Sequence, residues 1–261
     1  MSRRLDYNVG NPGAGAGHRL SVALVRSLVV AEPDDVCVAI DVLRATTTLA
    51  VLFARGCAGV WLAADVETAR RFGRSTGRLI CGEAGGLAPP GFDYGNSPLE
   101  FSRVDLSGRE IVFATTNGTG TLRACAAGGR VFAGGFVNVT ATVRSALRAI
   151  DERGEEGGRL LIACAGTHGR FGLEDAACAG SMVRQVQRAR PDTGIDDAAE
   201  GAGRLFESFP GPFEALRASA HARTLHDLGL GDDVAFCAQL DLTDVVPELS
   251  PSSPWPLYLV D

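Results

Sequence analysis

The sequence predicts an α/β protein, a three-layer α/β/α arrangement around a mainly parallel central sheet. Three observations predict it. Short aliphatic, β-branched runs alternate along the chain with longer segments of helical periodicity. Several of those runs, such as 36–40 and 160–164 (LLIAC), are continuously apolar, as strands are when helices cover both faces of their sheet. The 261 residues, 46% hydrophobic and 21% charged, are ample for a buried core and exclude a disordered or collagen-like chain.

The elements follow in order. Residues 1–17, polar and Gly-rich (GNPGAGAG), read as a flexible N-terminal tail without an apolar stretch for export, leaving 18–261 as a single domain. Residues 20–25 and 36–40 read as strands, and 47–55 as a helix stopped at Gly56. Residues 59–63 form a strand, 66–72 a helix, 79–81 a strand, and Glu100 after Pro98 opens a short helix. Strand 111–114 (IVFA) precedes helix 120–127 and strand 131–133. A longer helix over 139–150 has Asn138 in the N-cap position. Strand 160–164 is followed by helix 175–190, with 152–158 (ERGEEGG) as a surface turn between helix and strand. Beyond Arg190, residues 191–228 read as helical with breaks at Pro210 and Pro212, and short strands near Val245 and Leu257 are expected to close the sheet.

Composition narrows the chemistry. The net charge is −6, which argues against broad nucleic-acid binding. Every basic side chain other than histidine is Arg, so Schiff-base lysines and the lysine of P-loop NTPases are excluded. Seven cysteines without CxxC spacing suit reduced, buried thiols, and no run approaches the roughly 18 apolar residues of a membrane span. A cytoplasmic protein with no membrane partner is expected. Oligomeric state leaves no legible pattern, and a homodimer is the default expectation.

In open α/β sheets ligands bind beyond the carboxyl ends of the strands. Polar residues directly after strands are therefore the site candidates. Strand 36–40 runs into Asp41-Val-Leu-Arg44-Ala-Thr46, and strand 79–81 into Gly82-Glu83 and a loop holding Asp93 and Asn96. IVFA runs into Thr115-Thr116-Asn117-Gly118-Thr119, and LLIAC into Ala-Gly-Thr-His168-Gly-Arg170 and then Glu174-Asp175. The TTNGT segment can offer hydroxyl, amide and backbone donors to an anion at a helix N-terminus, or it is simply a turn with Thr119 as N-cap. Arg44, between a buried strand and a buried helix, needs a partner: a bound anion, or Asp41 as the nearest carboxylate. Asp41, Glu83, Asp93 and the pair Glu174-Asp175 would repel one another unless a cation lay among them, although acids at 174–175 also suit a helix start. Oxygen ligands without clustered His or Cys suggest Mg²⁺. Mg²⁺ beside hydroxyl, amide and Arg donors is suited to a phosphoryl substrate.

Taken together, DVLRATTT, GE…GFDYGNSP, TTNGT, ACAGT…FGLED and DVAFCAQLD…VVPEL, in that order from about Val36 to Glu248, resemble the 2-phosphosulfolactate phosphatase family. The resemblance implies a family-specific α/β/α fold and Mg²⁺-dependent hydrolysis of 2-phospho-3-sulfolactate to sulfolactate and phosphate, a step towards coenzyme M. With the strand-end reading, it makes Asp41, Glu83, Glu174 and Asp175 the candidates for catalysis and metal binding. Substrate binding falls to Arg44, Thr46, Asn96, Thr115, Thr116, Asn117, Gly118, Thr119 and Arg170. The sequence departs from the family pattern at Ala84, where Arg is expected after the glutamate. That leaves open another small anionic phosphate monoester, or a phospho-ligand-binding protein without turnover.

Two covalent routes are disfavoured by the residues themselves. Asp41-Val42-Leu43 lacks the second aspartate of an aspartyl-phosphate phosphatase. Cys164 to Arg170 has the C-x5-R spacing of cysteine phosphatases, but Cys164 also reads as the buried last residue of a strand. His168 could protonate a leaving oxygen or be a solvated loop residue, whereas His221 and His226, five apart on a helical stretch, read as structural.

Overall fold

The structure, a computed structural model, describes residues 18–154, 158–250 and 257–260. The expected tail at 1–17 and the middle of the 152–158 turn lie outside the described residues. Elements run in the order β1 (Arg19–Ala23), β2 (Val36–Ile40), α1 (Ala45–Ala54), β3 (Gly59–Leu62), α2 (Val66–Thr76), β4 (Leu79–Gly82), α3 (Pro98–Phe101), β5 (Glu110–Ala114), α4 (Gly118–Cys125), β6 (Arg130–Gly134), α5 (Val139–Asp151) and β7 (Arg159–Cys164). Then come α6 (Leu173–Ala189), β8 (Gly194–Ile195), α7 (Asp197–Glu207), α8 (Pro212–Arg217), α9 (Ala220–Asp227), α10 (Gly231–Cys237), β9 (Glu248–Leu249) and β10 (Leu257–Val260).

The α/β expectation holds, and its departures have local causes. Helix α2 runs one turn past Phe72 because its stop is Gly77, left-handed at φ 67°, while Asp65 caps its start by accepting the Thr68 N–H. Helix α6 begins at Leu173, which places both acids in its first turn. Asn138 flanks α5, but its side chain accepts the Gly135 N–H and donates to the Ala133 and Val245 carbonyls. Asp241 takes up the helix's free Thr140 N–H instead, at 2.8 Å. Strand β8 and helix α10 were not expected. Both are short and owe their form to tertiary pairing more than to local pattern.

Among the described residues the strands form one sheet in the order β4-β5-β3-β10-β9-β6-β2-β7-β1-β8. Two parallel groups, β4-β5-β3 and β6-β2-β7-β1-β8, are joined through antiparallel pairs made by β9 and β10. The closing strands expected near Val245 and Leu257 thus lie at the centre of the sheet, not at an edge. Alternate residues of β2 enter different cores: Val36, Val38 and Ile40 pack with α5 and α6, and Cys37 and Ala39 with α1 and α4. Strand β7 divides in the same way. This two-sided burial explains the continuous apolar runs and is what three layers require. All seven cysteines are free and buried. Among the described residues no helix is long and apolar enough to cross a membrane.

Candidate active site

The loops after β2, β4, β5 and β7, together with α9, enclose a cavity of about 330 Å³. Asp41, Arg44, Glu83, Asn96, Thr116, Asn117 and Glu174 line it, so residues 133 positions apart in the chain share one wall system. Thr46, Thr115, Gly118, Thr119 and Asp175 stand behind this lining, and Arg170 stands outside it.

Each carboxylate has a distinct setting. Asp41 follows β2 directly, is 6% exposed and accepts the Ala45 N–H at 3.4 Å. Burial pushes its pKa up to about 6; Glu83 and Glu174 push the same way, and His221 and the Ala45 N–H pull against them. Glu83 accepts N–H groups from Gly86 (2.8 Å) and Thr116 (2.7 Å), one on each oxygen, and so ties the β4 and β5 loops together. Gly82 before it sits at φ 140°, where a Cβ would fall 1.9 Å from the Ala114 carbonyl oxygen, which accounts for glycine ahead of this glutamate. Asp175 accepts the Val42 and Gly166 N–H groups, both at 2.9 Å, and lies beneath the lining. Burial, then Glu174 and Asp41, push its carboxyl well above the usual carboxylate range. Asp175 is therefore placed as a clamp between the β2 and β7 loops. Asp93 is exposed, accepts the Ile80 N–H and takes no part in the cavity.

Arg44 does not pair with Asp41. Its guanidinium donates to Asp233 of α10 at 2.7 Å, with both side chains almost fully buried, and to the Gly86 carbonyl at 2.7 Å. Asp233 also accepts from the Ser97 hydroxyl at 2.6 Å, so one carboxylate fixes the β2 loop and the loop carrying Asn96. Asn96 is 3% exposed, and its side-chain oxygen has no partner among the described residues, although it lines the cavity. A buried amide left open in this way has hydrogen-bonding capacity reserved for a ligand or water.

In TTNGT the N-cap position belongs to Asn117, not Thr119. The Thr119 hydroxyl donates to the Thr115 carbonyl at 2.8 Å, and the Thr115 hydroxyl accepts the Thr119 N–H at 3.1 Å, so these threonines brace the turn. The Asn117 side chain makes no capping bond and faces the cavity lining. A Cβ on Gly118 would lie 2.4 Å from the Ala45 methyl and 2.9 Å from Asp41, and this close approach brings α4 to the Asp41 carboxylate. The Thr46 hydroxyl accepts the Asp41 N–H at 3.1 Å and fixes that turn.

The helical stretch over 191–228 gave no sign that its α9 portion lines the site. His221 lines the cavity, with Nδ1 3.3 Å from a Glu174 carboxylate oxygen and 3.5 Å from the Thr167 hydroxyl. Burial pulls its pKa down, but the Glu174 hydrogen bond and the Asp41 charge outweigh this and leave it raised. His221, read from the sequence as structural, thus stands on the cavity wall; its spacing from His226 carried no signal because only one of the two faces the site. His168 lines the mouth of the cavity and is exposed. Cys164 is fully buried, outside the lining, and burial holds its thiol well above its ordinary pKa, while Arg170 is exposed. The C-x5-R spacing does not fold into a phosphate loop here. Ala84 is exposed and outside the lining as well.

Among the described residues no three His, Cys, Asp or Glu side chains stand close enough to enclose a metal ion. The arrangement suits a hard cation held by one or two carboxylates and completed by water and a phosphoryl oxygen, which is how Mg²⁺ is usually bound. The donors are oxygens, and burial first, then the neighbouring Glu83 and Glu174, raise the Asp41 carboxyl. Asp41 and Glu174 are the two lining carboxylates that are not held by an N–H on each oxygen.

Comparison with known proteins identifies the family. The family model for 2-phosphosulpholactate phosphatase matches residues 24–252. The chain is 40% identical over 224 residues to a probable 2-phosphosulfolactate phosphatase of Deinococcus radiodurans, covering 85% of this chain and 90% of that protein. It is 39% identical over 213 residues to a protein of the same description from Thermotoga petrophila, covering 81% and 88%. A third relative, from Thermus thermophilus, is 36% identical over 232 residues, covering 88% and 94%. The chain belongs to the 2-phosphosulfolactate phosphatase family and is a phosphatase, a phosphoric monoester hydrolase.

Proposed function

We propose that this phosphatase hydrolyses 2-phospho-3-sulfolactate to 3-sulfolactate and phosphate in a Mg²⁺-dependent reaction. The observation that carries the proposal is one cavity joining Asp41, Glu83 and Glu174 to Arg44, Asn96 and Asn117 at the strand ends. The relatives' descriptions name the substrate. Asp41 and Glu174 would hold Mg²⁺, which when bound neutralises phosphoryl charge and favours ionisation of a water. The Asn117 amide and the Arg44 N–H groups not engaged by Asp233 and Gly86 would donate to the phosphoryl oxygens of a bound substrate. Glu83 keeps the Thr116–Asn117 turn at the height of the cavity, and Asp175 does the same for the β2 and β7 loops. Leu43, Phe171 and Leu225 limit water on the remaining wall.

A second reading, hydrolysis of another small anionic phosphate monoester, is favoured by a specific feature. The single guanidinium in the lining is already paired with Asp233, so a sulfonate finds no further Arg there. Phosphate release from synthetic 2-phospho-3-sulfolactate and from 2-phospholactate, with Mg²⁺ and with EDTA, tests both. Release from the sulfonated substrate only when Mg²⁺ is present is expected. Release from 2-phospholactate alone would move the substrate to the second reading, and turnover indifferent to EDTA would remove the metal.

A further inference from the structure

Two charged groups of the cavity are completed from the helical segment that follows the last parallel strand. Asp233 of α10 holds Arg44, and His221 of α9 meets Glu174. The second contact gives a buried carboxylate, 2% exposed, a hydrogen-bond partner and with it a fixed direction. Glu174 lies in the first turn of a 17-residue helix, whose start favours an acid but supplies no side-chain cap bond to orient it. An ionised carboxylate only accepts, so with Glu174 ionised His221 Nδ1 carries the hydrogen in this contact, and the Thr167 hydroxyl lies 3.5 Å from the same nitrogen. One Glu174 oxygen is thereby turned towards α9 and the other is left for the cavity. Metal ligands are commonly oriented by such outer partners, and losing the partner weakens the ion without touching it.

We propose that His221 is a positioning residue: through Nδ1 it sets the Glu174 carboxylate in the rotamer that receives the divalent cation. The inference rests on the Mg²⁺ reading above and adds to it that the cation site is complete only when α9 is docked on the β7 loop. Thr167, the residue that bridges the β7 loop to the same ring nitrogen, belongs to this device.

The test is Mn²⁺ binding to the full-length protein, followed by electron paramagnetic resonance without substrate and compared with thermal unfolding of the same samples. His221→Ala is expected to weaken Mn²⁺ by about 10–100-fold, the range for loss of an outer partner. His221→Asn, whose amide N–H occupies the place of Nδ1–H, is expected to recover most of that affinity, and His221→Gln, whose amide reaches past it, is not. In turnover, the Mg²⁺ requirement of His221→Ala should rise by the same factor. Should His221→Ala fail to fold, Thr167→Val and His221→Asn carry the comparison. Wild-type Mn²⁺ affinity in His221→Ala, or equal effects of Asn and Gln, would overturn the inference while leaving the metal reading standing. A wild-type protein that binds no Mn²⁺ would overturn the metal reading itself.

Discussion

At the scale of single residues, type and role separate. Asp41 and Asp175 are both buried acids at the end of a strand or the start of a helix, yet one lines the cavity and the other is taken up by two backbone N–H groups. Asp175→Asn keeps one acceptor but turns an NH₂ towards a backbone N–H, leaving a buried donor without a partner. It should lower stability to urea by about 1–3 kcal/mol. An unchanged midpoint would mean the clamp is not made. Cys164 allows an opposite forecast. With its thiol buried and held protonated, Cys164→Ala should retain phosphate release, and only a loss of turnover in a folded variant would restore a thiolate route. The sequence displayed both residues as candidates because it records chemistry and position along the chain, not the direction in which a side chain leaves the backbone.

At the scale of elements, the legible part was whatever depended on near neighbours. Strands β2 and β7 were readable from unbroken apolar runs, and the polar segments after them and after β4 and β5 led to Asp41, Glu83, Asn117 and Glu174. What was not legible came from helices arriving late in the chain. The partner of Arg44 lies 189 positions away on α10, and that of Glu174 lies 47 positions away on α9. Helical periodicity can say that 220–227 is a helix, but not which of its faces meets a strand-end loop. Close approach is likewise invisible until two helices are in place, and Gly118 is the case in point. Gly118→Ala puts a methyl against Ala45 and Asp41, so the N-termini of α1 and α4 must separate. A loss of about 1–3 kcal/mol is expected from overpacking, together with a fall in kcat as Asp41 shifts. Calorimetry and initial rates on the same preparation check both, and a fully active, equally stable variant would show that the helices have slack.

At the scale of the whole molecule, the cavity concentrates acids that the rest of the fold must tolerate. Asp41, Asp175 and His221 all have raised pKa values, so the folded metal-free protein binds protons more tightly than the unfolded chain. The sign follows directly. Stability from these groups is fully present below their unfolded values and is lost as pH rises through the folded ones. For Asp41, moving from 3.8 to about 6, the window lies between those values, and the loss above it amounts to about 3 kcal/mol. Glu110 and Glu200 are shifted the other way, Glu110 against its burial by Arg78 and Tyr258 and Glu200 by Arg184 and Arg204, but both are partly exposed, screened, and act only at lower pH. EDTA-treated protein should therefore melt at a lower temperature near pH 7 than near pH 5. Asp41→Asn should flatten that slope even though it removes a charge from the site. Added Mg²⁺ should raise the melting temperature mainly at the higher pH, because a cation that binds the ionised carboxylates stabilises only the state in which they are ionised. A metal-free protein whose stability climbs from pH 5 to pH 7 would show that the acids are not crowded as the cavity places them.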